Sequence, residues 1–226
     1  MSEHISRRAV LLVGSAKHPS STSESLGRAL LERLEGGGYR YETIKLVRAL
    51  RSEEGTQVMI QAVKQADLVV FAFPLYVDTL PTLATKALEQ IAASRVEPTT
   101  PPQFVAIVNC GFPEVEHMAL AIEVCERFAK TTGFEWMGAL ALGGGQAVNG
   151  QPLDELGGMM RHAIEALNLA AEALLQDQAI PQEAVDLMAT PFIPPRLYTM
   201  MGGWGWRRQA AQMGTKKNLR DRPYKE

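Results

Sequence analysis

Three short runs of the chain are apolar at every position: Ala9-Val10-Leu11-Leu12-Val13, Leu68-Val69-Val70-Phe71-Ala72-Phe73 and Phe104-Val105-Ala106-Ile107-Val108. A strand sends successive side chains to opposite faces, so a run without a polar position has both faces covered. Such strands belong inside a parallel sheet with helices on each side. Two further strands fit the pattern, Tyr39 to Leu46 by its alternation and Phe134 to Leu142 as the fifth.

The segments between them read as helices. Leu26, Ala29, Leu30 and Leu34 recur at helical spacing until Gly36-Gly37-Gly38, and Glu53 to Gln65 is a second helix. Pro81 suits the first turn of a third, whose inner face carries Leu83, Ala84, Ala87, Leu88 and Ile91. After a surface connection at Glu97 to Pro102, a fourth helix turns Met118, Ile122, Cys125 and Phe128 inward up to Gly133, and a long fifth runs from about Leu153 to Leu175. Strands alternating with helices give an α/β doubly wound parallel sheet, because right-handed crossovers leave little else. Ligands of such sheets sit beyond the C-terminal strand edges, where the loops after the first, third and fourth strands are neighbours.

The chain has 226 residues, 46% of them hydrophobic, enough for one full core with an appendage. No apolar run approaches the roughly 18 residues that cross a bilayer, and the run after Arg7-Arg8 is too short for a secretory signal. The cytoplasm is the expected compartment. Cys110 and Cys125 supply neither a disulfide framework nor the thiolates of an iron–sulfur cluster, and read as small buried residues. From Arg196 onward eight Lys or Arg face two acids, so a tail of +6 follows a body of −8. The acidic body argues against nucleic acid as partner.

Chemistry is concentrated in the loops at the strand ends. Gly14-Ser15-Ala16-Lys17-His18-Pro19-Ser20-Ser21-Thr22-Ser23 lacks both the Gly-Lys-Ser/Thr ending of a nucleotide P-loop and three spaced glycines. Its hydroxyls, with backbone N–H groups at a helix N-terminus, suit a phosphate monoester without a metal. Helix capping explains one of these residues and not the cluster. His18 stands where it can help neutralise the phosphate, although a lone histidine is more often a surface or packing residue. In Pro74-Leu75-Tyr76-Val77-Asp78, Tyr76 can flank a flat heterocycle while loop amides meet its polar edge; as an isolated residue it reads as packing. Asn109, Cys110, Gly111 and Phe112 lie alongside, Gly111 also reading as a turn residue and Phe112 as core. Gly143-Gly144-Gly145 permits close approach of backbone to a ligand, or is a flexible turn. His117 borders the site or is a surface residue.

The first loop through Ser21-Thr22, Pro74-Leu75-Tyr76-Val77-Asp78 through Pro81, and Gly143-Gly144-Gly145 together resemble the flavodoxin-like NAD(P)H-dependent FMN reductase and quinone oxidoreductase family, over roughly residues 8 to 175. Ala16 and Ser21 depart from the proline and asparagine common there. The resemblance implies a flavodoxin-like five-stranded sheet of order 2-1-3-4-5, with a flavin-binding domain at 1–178 and a basic, irregular, partly helical C-terminal extension at 179–226. It implies FMN held by Ser15, Lys17, His18, Ser20, Ser21, Thr22, Ser23, Pro74, Leu75, Tyr76, Val77, Asn109, Cys110, Gly111 and Phe112, with NADPH or NADH as donor. A small-molecule quinone, flavin, nitro or azo acceptor and a homodimer complete it. No catalytic triad or metal is expected, since a flavin carries its own hydride chemistry. The alternatives are a flavodoxin-type one-electron carrier and a flavin-free interaction module. The extension should hold short helices at Pro181 to Met188 and Trp206 to Met213. Trp204-Gly205-Trp206-Arg207-Arg208 with Lys216-Lys217 admits three readings: packing on the body or a partner subunit, which is preferred, a lid, or contact with an anionic membrane.

Overall fold

The computed structural model describes residues 7–17, 19–94, 100–192 and 195–222, so His18 and residues 97–99 of the 97–102 connection lie outside the described residues. Five parallel strands, β1 (Arg7–Val13), β2 (Tyr39–Lys45), β3 (Leu68–Pro74), β4 (Gln103–Asn109) and β5 (Glu135–Leu142), form one sheet in the order β2-β1-β3-β4-β5. Period-two alternation splits each apolar run between two cores. Leu11 and Val13 of β1, Val70 and Ala72 of β3 and Val105 and Ile107 of β4 face one side. Val10, Leu12, Val69, Phe71, Phe73, Phe104 and Val108 face the other.

The first core is covered by α1 (Thr22–Glu35), α6 (Arg161–Leu175) and α7 (Gln182–Ala189), the second by the short α2 (Leu46–Ala49), α3 (Glu53–Gln65), α4 (Thr82–Ser94) and α5 (Ala119–Thr131). Phe104 centres the second core, with Phe71, Phe128, Phe134 and Trp136 rings about 5–6 Å away. Opposite it β5 bulges: Phe104 pairs with Trp136 but Val105 with Gly138, leaving Met137 as the extra residue.

Three elements differ from their sequence reading. The second strand stops at Lys45, because Leu46 turns into α2 and is buried under it. In place of one long fifth helix there is a 3₁₀ segment, Leu153–Met160, itself broken at Gly157 with φ 59°, and then α6. The body also runs past residue 178. The Ile180 N–H donates to the Met137 carbonyl at 2.7 Å, and α7 buries Ala184 and Met188, so the first compact unit ends at Phe192. The second unit, residues 193–226, is more helical than expected: α8 spans Pro195–Gln212 instead of beginning near Trp206.

Candidate functional site

In an open sheet whose chain runs outward both ways from β1, the C-terminal ends of β1 and β3 diverge and leave a crevice. Here it is a cleft of about 550 Å³. The first loop contributes Ser15, Lys17, Ser21, Thr22 and Ser23, the β3 loop Pro74, Leu75 and Tyr76, and the β4 loop Asn109, Cys110 and Gly111. Gly145, Gln146 and Asn149 from the β5 loop complete the lining. Lys17 is the cation among these residues, and no carboxylate is among the described residues that line the cleft.

The hydroxyl cluster has a structural as well as a cleft-facing side. Ser21 is the N-cap of α1 and accepts from the Glu24 N–H at 3.2 Å. Thr22 Oγ1 donates to the Gly145 carbonyl at 2.7 Å and Ser23 Oγ to Asn109 Oδ1 at 2.7 Å, both buried. Ser20 Oγ donates to the Gly150 carbonyl at 2.9 Å, and the Lys17 ammonium donates to Asn149 Oδ1. These hydroxyl protons therefore tie the first loop to the β4 and β5 loops, and the oxygens remain as acceptors. What the loop offers an anion is the Lys17 ammonium, the Ser15 and Ser21 hydroxyls, which accept from the Lys17 and Glu24 N–H groups and keep their own protons, and the N–H groups of the first turn of α1, whose start leaves Thr22 and Ser23 without intrahelical acceptors. Lys45, the last residue of β2, braces the loop from outside by donating to the Pro19 carbonyl at 2.6 Å and pairing with Glu24 at 2.8 Å.

The β4 and β5 loops are joined by backbone: Gly144 N–H donates to the Phe112 carbonyl at 2.7 Å and Gly145 N–H to the Cys110 carbonyl at 2.8 Å. A Cβ on Gly143 would lie 2.3 Å from the Pro113 oxygen, and one on Gly145 only 3.1 Å from Asn109 Nδ2. The glycine run thus serves loop-to-loop contact first, and only Gly145 also faces the cleft. Cys110 Sγ donates to the Phe112 carbonyl at 3.1 Å, and burial pushes its thiol above the ordinary range, so it is a neutral lining group.

Not every residue singled out from sequence reaches the cleft. Ser20 faces a separate, smaller hollow beside Arg28 and Leu153. Val77 is 97% exposed at the tip of a tight turn closed by the paired Tyr76 and Thr79, with Val77 and Asp78 both at positive φ. Phe112 is exposed beside His117, whose Nδ1 lies 3.7 Å from Asp78 Oδ1. These side chains form the outer rim, where His117 stands as well. Gln146 and Asn149 were not foreseen. Both follow the glycine run, and its return toward β4 was the available signal.

No known family profile matches this chain, and no curated protein matches it by sequence. Solved structures do. The NAD(P)H:quinone oxidoreductase from Methanothermobacter marburgensis superposes with TM-score 0.55 at 18% identity, over 75% of this chain and 99% of that one. An FMN-dependent NADH-azoreductase from Bacillus anthracis, solved in complex with FMN, gives 0.54 at 14% identity over the same shares. A Streptococcus pneumoniae flavodoxin gives 0.53 at 15%, again over 75% and 99%. The fold is flavodoxin-like. In that flavodoxin-like frame the cleft lies at the switch point, where the chain crosses from the β1–β2 side of the sheet to β3.

Proposed function

We propose that this protein is an FMN-dependent oxidoreductase that takes a hydride from NADH or NADPH and passes electrons to a quinone, flavin, nitro or azo acceptor. The carrying observation is that the first, β3 and β4 loops meet around one cleft that contains Lys17 and, among the described residues, no carboxylate. A volume of about 550 Å³ falls in the range of small-molecule and cofactor sites, roughly 300–1,000 Å³. The first turn of a 14-residue helix and an ammonium at one end fit a phosphate. Leu75, Tyr76 and the Asn109–Gly111 backbone at the other fit a flat ring with a polar edge. The neighbours named as quinone oxidoreductase and FMN-dependent azoreductase support the same chemistry.

When bound, FMN supplies a two-electron centre able to accept hydride from a nicotinamide and return electrons to an acceptor. The chain's own part is positional. Lys17 and the α1 N-terminus would hold the phosphate, the Ser15 and Ser21 hydroxyls, which accept within the loop and keep their own protons, would donate to it, and Tyr76 would flank the ring. The neutral Cys110 thiol adds no competing charge. Tyr76, Val77 and Phe112 at the rim suit a planar acceptor or the face of a second copy, in keeping with a homodimer.

The test is an anaerobic titration. The protein reconstituted with FMN should lose its visible flavin absorbance within seconds of adding NADH or NADPH and regain it with a quinone. Bleaching only through a separate reductase would assign the carrier role, and failure to take up FMN would remove the proposal.

A further inference from the structure

The second unit carries chemistry that the cleft does not use. Helix α8 has 18 residues and no acid among them, with Arg196, Arg207 and Arg208 as its charges. Beyond it Lys216, Lys217, Arg220 and Arg222 are all exposed, with Asp221 the one acid among the described residues there. Met200 and Trp204, four residues apart, share a face, and both are exposed, Trp204 at 66%. The Arg208 guanidinium lies 6.0 Å from the Trp204 ring centroid, so cation and aromatic ring occupy the same side. Trp206, two residues on and 75% exposed, projects toward another side of the helix.

We infer that this unit docks on the anionic headgroup surface of a membrane, lying along it. Charge complementarity, with Arg208 beside the exposed Trp204, selects this occupant. Arginines beside exposed tryptophans match a layer with phosphates at one depth and hydrocarbon just below. On a helix lying along the surface, the face carrying Met200, Trp204 and Arg208 enters the headgroup layer, and Trp206, about 200° round from Trp204, stays outside it. Gly202, Gly203 and Gly205 weaken α8 in water, and without acids it has no internal ion pairs, so an external apolar layer is what would stabilise it. No described helix is long and apolar enough to cross a membrane, which leaves surface attachment. The body, at −8, would be held off the same surface.

The full chain should be sedimented with vesicles of phosphatidylcholine alone or mixed with phosphatidylglycerol, and its tryptophan emission followed. At least about tenfold more protein should partition to the anionic vesicles, with a blue shift, and high salt should release it. Trp204→Ala with Trp206→Ala should abolish the shift, and Arg207→Glu with Arg208→Glu should abolish binding. Both pairs are exposed, and the body's Trp136, packed on Phe104, reports that the fold is kept. Equal binding to both vesicles, or none, would overturn the inference. So would a salt-sensitive dimer without lipid that the tryptophan pair disrupts, which would give the surface to a second copy.

Discussion

Lys45 acts at a distance of one side chain from the cleft. Its ammonium is shared between the Pro19 carbonyl and the Glu24 carboxylate, and both it and Glu24 are largely shielded from solvent. Lys45→Met would free the Pro19 carbonyl and leave a shielded carboxylate unpaired at the end of α1, close to where the phosphate is proposed to sit. Affinity for FMN should fall about tenfold, roughly 1.4 kcal/mol, with riboflavin binding little changed, as measured by flavin fluorescence quenching. Cys125 makes a different statement. Burial pushes its thiol up to about 12 from an ordinary 9.0, so the folded chain holds this proton more tightly than the unfolded one. A raised folded value stabilises below the unfolded value and is lost as pH climbs toward the folded one. Urea unfolding should therefore show stability declining between about pH 9 and 12, and Cys125→Ala should flatten the lower part of that decline. Tyr39, also pushed up to about 12 by burial, governs the part above pH 10 in the same sense.

At the scale of elements, glycines decide which loops can touch. A Cβ at Gly143 would meet backbone, the Pro113 oxygen at 2.3 Å, and the two joined loops have little room to part. Gly157 has open space around it and only a positive φ to satisfy. Gly157→Ala should cost about 1–3 kcal/mol, because φ 59° with ψ −149° is a conformation essentially confined to glycine, and Gly143→Ala more, with losses in melting temperature of about 2–4 °C per kcal/mol in a chain of this size. Gly143→Ala should also weaken ligand binding, since Asn109 and Gly145 move with the loops. The same positions show what sequence could convey. The runs in β1, β3 and β4 were legible because burial on both faces leaves no polar residue to mislead. The kink at Gly157 was hidden, since the apolar spacing continues through it. The hydroxyl cluster was legible as a cluster, but Thr22, Ser20 and Ser23 spend their protons on Gly145, Gly150 and Asn109. Partners more than eighty residues away cannot be read from local spacing.

For the whole molecule, the boundary between units has a direct consequence. A chain ending at Phe192 retains Ile180, Ala184 and Met188 against β5 and α6, whereas one ending at residue 178 removes them. Loss of two large buried side chains at about 1.5–3 kcal/mol each should make the shorter form roughly 3–6 kcal/mol less stable than the longer, by urea denaturation. Loss of the αβ rhythm after Gln176 suggested a boundary there. Packing places it later, because a two-turn helix between prolines can close a core without any strand to announce it. The placement of the cleft, by contrast, followed from topology alone, since strand order decides which loops become neighbours. In the proposed function, Lys17 and the first turn of α1 hold the phosphate of a flavin whose ring lies between the β3 and β4 loops. Calorimetric titration of the flavin-free protein with FMN and with riboflavin tests this most directly. One FMN should bind per chain, roughly a hundredfold tighter than riboflavin, the difference collapsing in Lys17→Ala. Equal affinity for the two flavins, or heat from neither, would contradict it.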